Sequence, residues 1–238
     1  MIEKKNFLLF STASLVVVLI FGITKISLED DFLRYFDEKY ELRQSIDYYE
    51  ENFGGLNALE YSVSSDIENG INNPEYLQKV NDLVEFMRSQ PEVTSVRSYT
   101  DVVKRLNQNF NNDNESFYKI PSSELEAAQY LFLYELSLGY GLDLTDQINV
   151  DKSALRVTTN VANATTKEFL NLDKRIQEWF AENAPELMTK STGPSQVFSQ
   201  ISSRDVPAML KGTGLALIGI SFIILLVIRN VKYGLMSL

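Results

Sequence analysis

The stretch that decides the fold covers residues 58–99 and reads ALEYSVSSDIENGINNPEYLQKVNDLVEFMRSQPEVTSVRSY. Its first residues alternate between apolar and polar side chains, which is the period of a half-buried strand. Asn73 and Pro74 then supply a helix N-cap and a proline at the first helical position, and the apolar residues that follow recur at helical spacing. A second alternating run begins at Val93, after Pro91. The stretch therefore predicts a βαβ unit over about residues 57–100.

The same pattern returns at about residues 150–193. Ala154–Ala162 is a strand-like run rich in Val and Thr, and Thr165 and Glu168 have the spacing of a capping box that opens a helix. That helix is closed by Pro185, and the residues leading to Thr192 complete a second βαβ unit. An isolated two-stranded unit cannot bury its sheet face, so the units must pair with one another or with a second copy of the domain. Two units in tandem suggest ferredoxin-like, split βαβ packing.

A helical insertion, at about residues 101–145, separates the two units. Ser123-x-x-Glu126 has the spacing of a capping box and opens the helix LEAAQYLFLYELS. Apolar residues occupy much of the circumference of this helix, so it either belongs to the core or lines a hydrophobic groove. The candidate residues for a substrate-contact or gating surface are Leu125, Leu131, Phe132 and Tyr134.

Two uncharged apolar runs flank this domain: Phe7–Thr24, with 18 residues, and Gly212–Ile228, with 17. Each is near the length that crosses the bilayer core, and we interpret both as transmembrane helices. The alternatives are a cleaved signal peptide for the first run, although no small-residue cleavage site follows it, and a buried helix of a soluble protein for the second. Gly212, Ala216 and Gly219 share one face of the second helix, where backbones can approach closely; ordinary transmembrane glycine usage is the alternative.

The charges that flank the two spans predict their orientation. Lys4, Lys5, Arg229 and Lys232 place both termini in the cytoplasm by the positive-inside rule. Residues 1–28 carry a formal charge of +2 and residues 211–238 carry +3. Since the whole chain carries −10, the domain at 29–210 carries −15, and this orientation places it outside the cytoplasm. So acidic a domain repels nucleic acid and anionic headgroups, and we expect no nucleic-acid partner.

The composition also limits the chemistry of the chain. It contains no histidine and no cysteine, which excludes a Ser-His-Asp triad, a cysteine nucleophile, a zinc finger and a disulfide framework. No G-x-S-x-G motif occurs. We therefore expect no enzyme activity, no metal site and no cofactor. Neither span contains the intramembrane carboxylate that usually carries protons in coupled transport.

The order of several short motifs along nearly the full length resembles a known family. The motifs are Asp30-Asp31-Phe32, Tyr35-Phe36, Phe53-Gly54-Gly55, Asn73-Pro74-Glu75, Pro91–Val96, Ala128–Glu135, Thr192-Gly193-Pro194 and Arg229–Leu235. In this ordered set the chain resembles one half of a transporter of the resistance–nodulation–division (RND) superfamily, of the MMPL-type exporter branch.

The resemblance implies a porter domain of βαβ subdomains that projects from the bacterial cytoplasmic membrane into the periplasm. It also implies proton-driven export of hydrophobic or amphiphilic molecules by two halves of six spans each, with the proton-carrying acids in the fourth span of each half. Since the chain has two spans and no such acid, we interpret it as a fragment or a split gene product that is not transport-competent alone. Its implied partners are the remaining transmembrane helices, the second half, the lipid bilayer and a hydrophobic small molecule or lipid; a homo-oligomer stays open.

Two other functions fit the same topology. The first is the extracytoplasmic input domain of a two-span membrane sensor, which requires a cytoplasmic output module after the second span. The second is the ectodomain of an ABC-type permease, which requires further spans. The sequence beyond Leu238 would distinguish all three.

Overall fold

The computed structural model describes residues 10–12, 14–16, 18, 19, 21, 35–139, 141–162 and 164–228. In chain order the elements are α1 (Glu41–Phe53), β1 (Asn57–Ser64), α2 (Pro74–Arg88), β2 (Val93–Arg97), α3 (Tyr99–Phe110), α4 (Glu124–Ser137), β3 (Ala154–Val161), α5 (Thr166–Asn183) and α6 (Pro194–Ile228). Short 3₁₀ turns occur at Gly70–Asn72, Glu115–Phe117 and Pro185–Leu187.

The first predicted span is described only in part. Its described residues between positions 10 and 21 are helical. The rest of that span, the Asp30-Asp31-Phe32 motif and residues 229–238, including Arg229 and Lys232, lie outside the described residues.

The three strands form one antiparallel sheet in the order β1-β3-β2. Tyr61 on β1 pairs with Val157 on β3, and Val96 on β2 pairs with Thr159 on the other side of β3. Strands β1 and β2 therefore run in the same direction but do not pair, because β3 lies between them. The strands of the two predicted units therefore share one sheet, to which the second unit contributes β3. Strand β3 is the most buried of the three, because it occupies the centre.

The last strand expected in the second unit is reduced to a single bridge. Thr192 exchanges two main-chain hydrogen bonds with Glu60 on the outer edge of β1, with N···O distances of 3.1 and 2.7 Å. Earlier in the same segment, the Thr189 carbonyl accepts a hydrogen bond from the Gln177 side chain and not from the main chain of a strand. Gly193, at a φ of 112°, ends the segment, and α6 begins at the next residue.

The main core lies between one face of the sheet and the helices that cover it. Leu59, Tyr61 and Val63 of β1 are fully buried, as their alternation predicts. The expected inner face of α2 is buried with them, at Leu77, Val80, Leu83, Val84 and Met87, and so is that of α5, at Phe169, Leu172, Ile176 and Phe180. Trp179 packs against this core and stacks on Phe86 with ring centroids 5.9 Å apart.

Two of the three predicted helix caps form. The Asn73 side chain accepts from the main-chain N–H groups of Glu75 and Tyr76, and Thr165 and Glu168 make both bonds of a capping box. The third prediction is wrong: the Ser123 side chain makes no capping hydrogen bond, and only its carbonyl accepts, from the Ala127 N–H.

The paired glycines after α1 are required by close backbone contacts. A Cβ atom on Gly55 would lie 1.6 Å from the Val161 carbonyl oxygen, and Gly54, at a φ of 90°, lies against Thr94. At the sharp turn that Phe53-Gly54-Gly55 predicts, the two glycines after α1 therefore pack against Thr94 of β2 and Val161 of β3.

Helix α6 is continuous for 35 residues, which corresponds to a length of about 52 Å. It contains Pro207 and crosses the expected boundary between the domain and the second span, at residues 210 and 211, without a break. Within the described ranges, Pro194–Ile224 is the one helix that is long and apolar enough to cross a membrane, by length and composition. The structure is thus a mixed α/β fold with a three-stranded antiparallel sheet and one candidate membrane helix.

Candidate functional site

Helix α4 carries the four candidate contact residues, and α3 holds it in place. The Phe110 and Tyr130 rings stack with centroids 4.9 Å apart, and the Tyr130 hydroxyl donates to the Asn107 side chain at 3.3 Å. This ring contact and hydrogen bond fix one side of α4 against the domain.

The four candidate residues do not share one surface. Leu131 is 2% exposed and belongs to the core, and Tyr134 is half-buried against that core. Leu125 and Phe132 point to the opposite side, where they are 67% and 59% exposed. In this structure only Leu125 and Phe132 are accessible to a ligand, while Leu131 anchors the helix.

An apolar surface, which we call the outer face of α4, extends along the exposed side of this helix. Its members are Leu125, Phe132, Leu133 and Leu136. Isolated exposed leucines are common on proteins, but several apolar side chains on one helix face mark contact sites for ligands, membranes or proteins. The outer face is therefore the first component of the candidate site.

A cavity of about 470 Å³, which we call the hollow, opens beside the last turn of α4. Its apolar lining includes Leu138, Leu142, Leu144 and Ile148. The volume is within the range of small-molecule sites, roughly 300–1,000 Å³.

A charged pair lies at the hollow as well. The Lys152 ammonium and the Glu135 carboxylate are 2.8 Å apart, and both side chains are about one-third exposed. Asp143 also lines the hollow, so its apolar walls with charged groups at the edge suit a molecule that has a hydrophobic body and a polar head.

Tyr99 lies in the core, near Glu135, and its hydroxyl group stays able to donate a hydrogen bond. Its side chain is 1% exposed, and its hydroxyl has no hydrogen-bond partner among the described residues. Burial, together with the nearby negative charge of Glu135, raises the pKa of Tyr99 above its ordinary value. The phenol therefore stays protonated over the physiological pH range.

The second face of the sheet is a feature that the sequence analysis missed. Glu60 and Arg156 form an ion pair there, across β1 and β3. Two cavities, of about 290 and 200 Å³, adjoin Arg156 and are bounded by the loop that contains Asp146 and Gln147. The alternating polar residues of β3 were the available signal, but they locate a polar face only once the strand order is known.

The predicted packing face of the second span is only partly covered. Gly212 and Ala216 are exposed, and Gly219 is half-buried. A Cβ atom on Gly212 or Gly219 would meet no atom within 4 Å. These three residues form no close helix–helix contact in the described part of the chain.

Metal chemistry has no evident site in the described ranges. Among those residues, no group of three or more His, Cys, Asp or Glu side chains could hold a metal ion.

Comparison with protein-family models and with curated proteins found no match to the chain.

Proposed function

We propose that the chain is part of a proton-driven exporter of the RND superfamily, MMPL type, and supplies its extracytoplasmic substrate-handling domain. The observation that carries the proposal is the combination of the outer face of α4 with the hollow beside it. The outer face offers exposed apolar side chains, and the hollow offers apolar walls and the charged pair Glu135–Lys152, to a hydrophobic or amphiphilic molecule.

The element order supports the fold part of the proposal. Strand, helix and strand (β1, α2, β2) are followed after an insertion by strand and helix (β3, α5), and Thr192 bridges to the outer edge of β1. In ferredoxin-like, split βαβ packing a strand of the second unit separates the two strands of the first, as β3 separates β1 and β2. A porter-type subdomain with a shortened last strand has this arrangement.

Helix α6 supports the membrane part of the proposal. It begins at Pro194, packed against the domain, and continues into the uncharged run Gly212–Ile228. A domain joined in this way to a span lies at the membrane surface, where hydrophobic molecules partition.

Photolabelling tests the substrate site. The full chain is reconstituted in lipid nanodiscs and exposed to a long-chain alkylamine that carries a photoreactive diazirine, and labelled residues are mapped by mass spectrometry. We expect saturable labelling of residues 132–152 that excess unlabelled alkylamine competes away. Uniform labelling that does not saturate would contradict the proposal.

Two variants make the test specific. Leu142→Ser removes an apolar wall of the hollow, so we expect the half-saturating concentration to rise roughly fivefold, for a loss of about 1 kcal/mol of apolar contact. Met188→Ser is the matched control, because Met188 is also an exposed apolar residue, at 51%, and does not line the hollow. An equal effect of both variants would show that the probe senses surface hydrophobicity alone.

A two-span sensor is the second candidate, and the continuity of α6 favours it as well. A helix that runs without interruption from a ligand-binding domain through the membrane can carry a signal to the cytoplasm. The gene sequence beyond Leu238 distinguishes the two. Four further apolar spans with an intramembrane Asp are expected for the exporter, whereas a kinase or a methyl-accepting helix would establish the sensor.

A further inference from the structure

The first turn of α6 is attached to the sheet through one carboxylate. The Tyr61 hydroxyl on β1 donates to Asp173 Oδ1 at 2.7 Å, and the Gln196 side-chain amide on α6 donates to Asp173 Oδ2 at 3.0 Å. Asp173 itself lies on α5, so its two oxygens connect a strand of the sheet, a helix of the domain and the candidate membrane helix.

Further contacts attach the start of α6 to the domain. The Ser195 hydroxyl donates to the Asn57 side chain at 2.9 Å, at the start of β1. Ser195, Gln196, Ser199 and Ser202 are all less than a tenth exposed, although all four are polar. Positions 195, 199 and 202 share one helix face, so roughly the first nine residues of α6 are packed onto the domain.

The next part of α6 lacks such contacts. From Ser203 to Thr213 every residue except Val206 is exposed. Pro207 lies within this segment and has no N–H group to donate to the carbonyl one turn earlier. Helix bending concentrates at such positions.

We infer that Asp173 is a positioning residue that locks the start of α6 to the sheet, and that bending between the domain and the membrane helix is confined to Pro207. A tilt of the membrane helix then moves the segment from Pro207 onward, while residues 194–202 move with the domain as one body. The inference holds for an exporter and for a sensor, because it does not depend on what the domain binds.

Two substitutions of Asp173 should have different effects on the attachment of α6. Asp173→Ala removes both acceptors. Asp173→Asn keeps an oxygen for the Tyr61 hydroxyl, and its new amide can donate to Gln196 Oε1, which is buried without a partner in the described part of the chain, once the Gln196 amide turns over. The alanine variant should therefore release the helix and the asparagine variant should retain it.

Pairs of spin labels test the inference in the full chain in nanodiscs. The chain has no cysteine, so two introduced cysteines are labelled without background. One label is placed at Glu178 on α5, and the second at Arg204, before Pro207, or at Leu210, after it; all three positions are exposed. Pulsed electron spin resonance then gives the distance distribution of each pair.

We expect a narrow distribution for the 178/204 pair and a broader one for the 178/210 pair. Asp173→Ala should roughly double the width of the 178/204 distribution, as for a released element, and Asp173→Asn should leave it unchanged. Pro207→Ala should narrow the 178/210 distribution. An unchanged 178/204 width in Asp173→Ala, or an unchanged 178/210 width in Pro207→Ala, would overturn the inference.

Folding is checked in the same samples. Trp179 is the only tryptophan and stacks on Phe86 in the core, so its emission reports whether the domain is intact. If Asp173→Ala does not fold, Tyr61→Phe replaces it, because that change removes one hydroxyl and keeps the ring. A smaller widening of the 178/204 distribution in folded Tyr61→Phe supports the lock, and no widening contradicts it.

Discussion

Helices α2 and α4 have similar lengths, 15 and 14 residues, and pack in different ways. On α2 the apolar residues form one stripe, which is buried except for the half-buried Phe86. On α4 apolar residues occur on both sides, so Leu131 is buried while Phe132, the next residue, is exposed. The comparison teaches that the core of the chain covers the apolar stripe of an amphipathic helix, whereas a helix with apolar residues on most sides keeps a second apolar face exposed.

The largest expected difference between the two helices is in stability. Leu77 on α2 is fully buried, so Leu77→Ala should lower the free energy of unfolding by about 3 kcal/mol, through lost burial and a cavity. Phe132→Ala on the outer face of α4 should stay within about 0.5 kcal/mol of the wild type. Urea unfolding of the full chain in detergent micelles, followed by Trp179 fluorescence, measures both. A large loss in Phe132→Ala would mean that the outer face is already covered.

The two sides of α4 should also differ from each other. Leu131→Ala removes a buried side chain and should cost about 2 kcal/mol, less than Leu77→Ala because α4 lies at the edge of the domain. The neighbouring change Leu133→Ala serves as its control, since Leu133 is 45% exposed. Similar costs for the two variants, in the same unfolding assay, would contradict the division of α4 into an inner and an outer face.

The starts of the two helices offer a third contrast. Asn73 caps α2 through its side chain, so Asn73→Ala should cost about 1 kcal/mol. Ser123 occupies the same position before α4 and makes no such bond, so Ser123→Ala should change the unfolding free energy by a few tenths of a kcal/mol at most. If the two substitutions cost the same, Ser123 caps α4 in solution.

The smallest expected effect concerns pH. The N–H and hydroxyl of Thr165 donate to Glu168, and these hydrogen bonds lower the pKa of the Glu168 carboxyl. The stability that they contribute is therefore present above the ordinary pKa of glutamate and is lost as the pH falls through the lowered value.

Unfolding experiments across this acidic range measure the effect. Glu168→Gln should unfold with a shallower pH dependence than the wild type, whereas Thr165→Ser, which keeps the hydroxyl, should follow the wild type. Identical profiles for the wild type and Glu168→Gln would show that the capping box does not form.

Much of the local structure could be predicted from the sequence. Alternation located β1 and β2, and a run rich in Val and Thr located β3. Asn73 and Thr165 located the starts of α2 and α5, and helical spacing identified their buried faces. These signals act within a few residues, so no knowledge of distant contacts is needed to interpret them. The Ser123 motif had the same spacing but no capping bond, since spacing alone does not determine where a side chain points.

The candidate site was less accessible to such reasoning. Four residues of α4 were expected on one surface, yet a helix that is apolar on every side gives no indication of which side its neighbours cover. The ring contact between Phe110 and Tyr130 decides this, and it joins two helices separated by a polar loop. The hollow likewise depends on a loop whose path no local pattern predicts.

The sequence by itself determined the acidic domain, its uncharged flanking runs, the positions of its strands and its lack of histidine and cysteine chemistry. Only the tertiary structure decided that β3 lies between β1 and β2, that Thr192 forms a bridge in place of a strand, and that Asp173 joins β1 to α6. The physical reason is range. Periodicity and capping arise between residues close in the chain. Strand order and the Tyr61–Asp173 contact instead join residues between 61 and 112 positions apart, whose meeting depends on how the whole core packs.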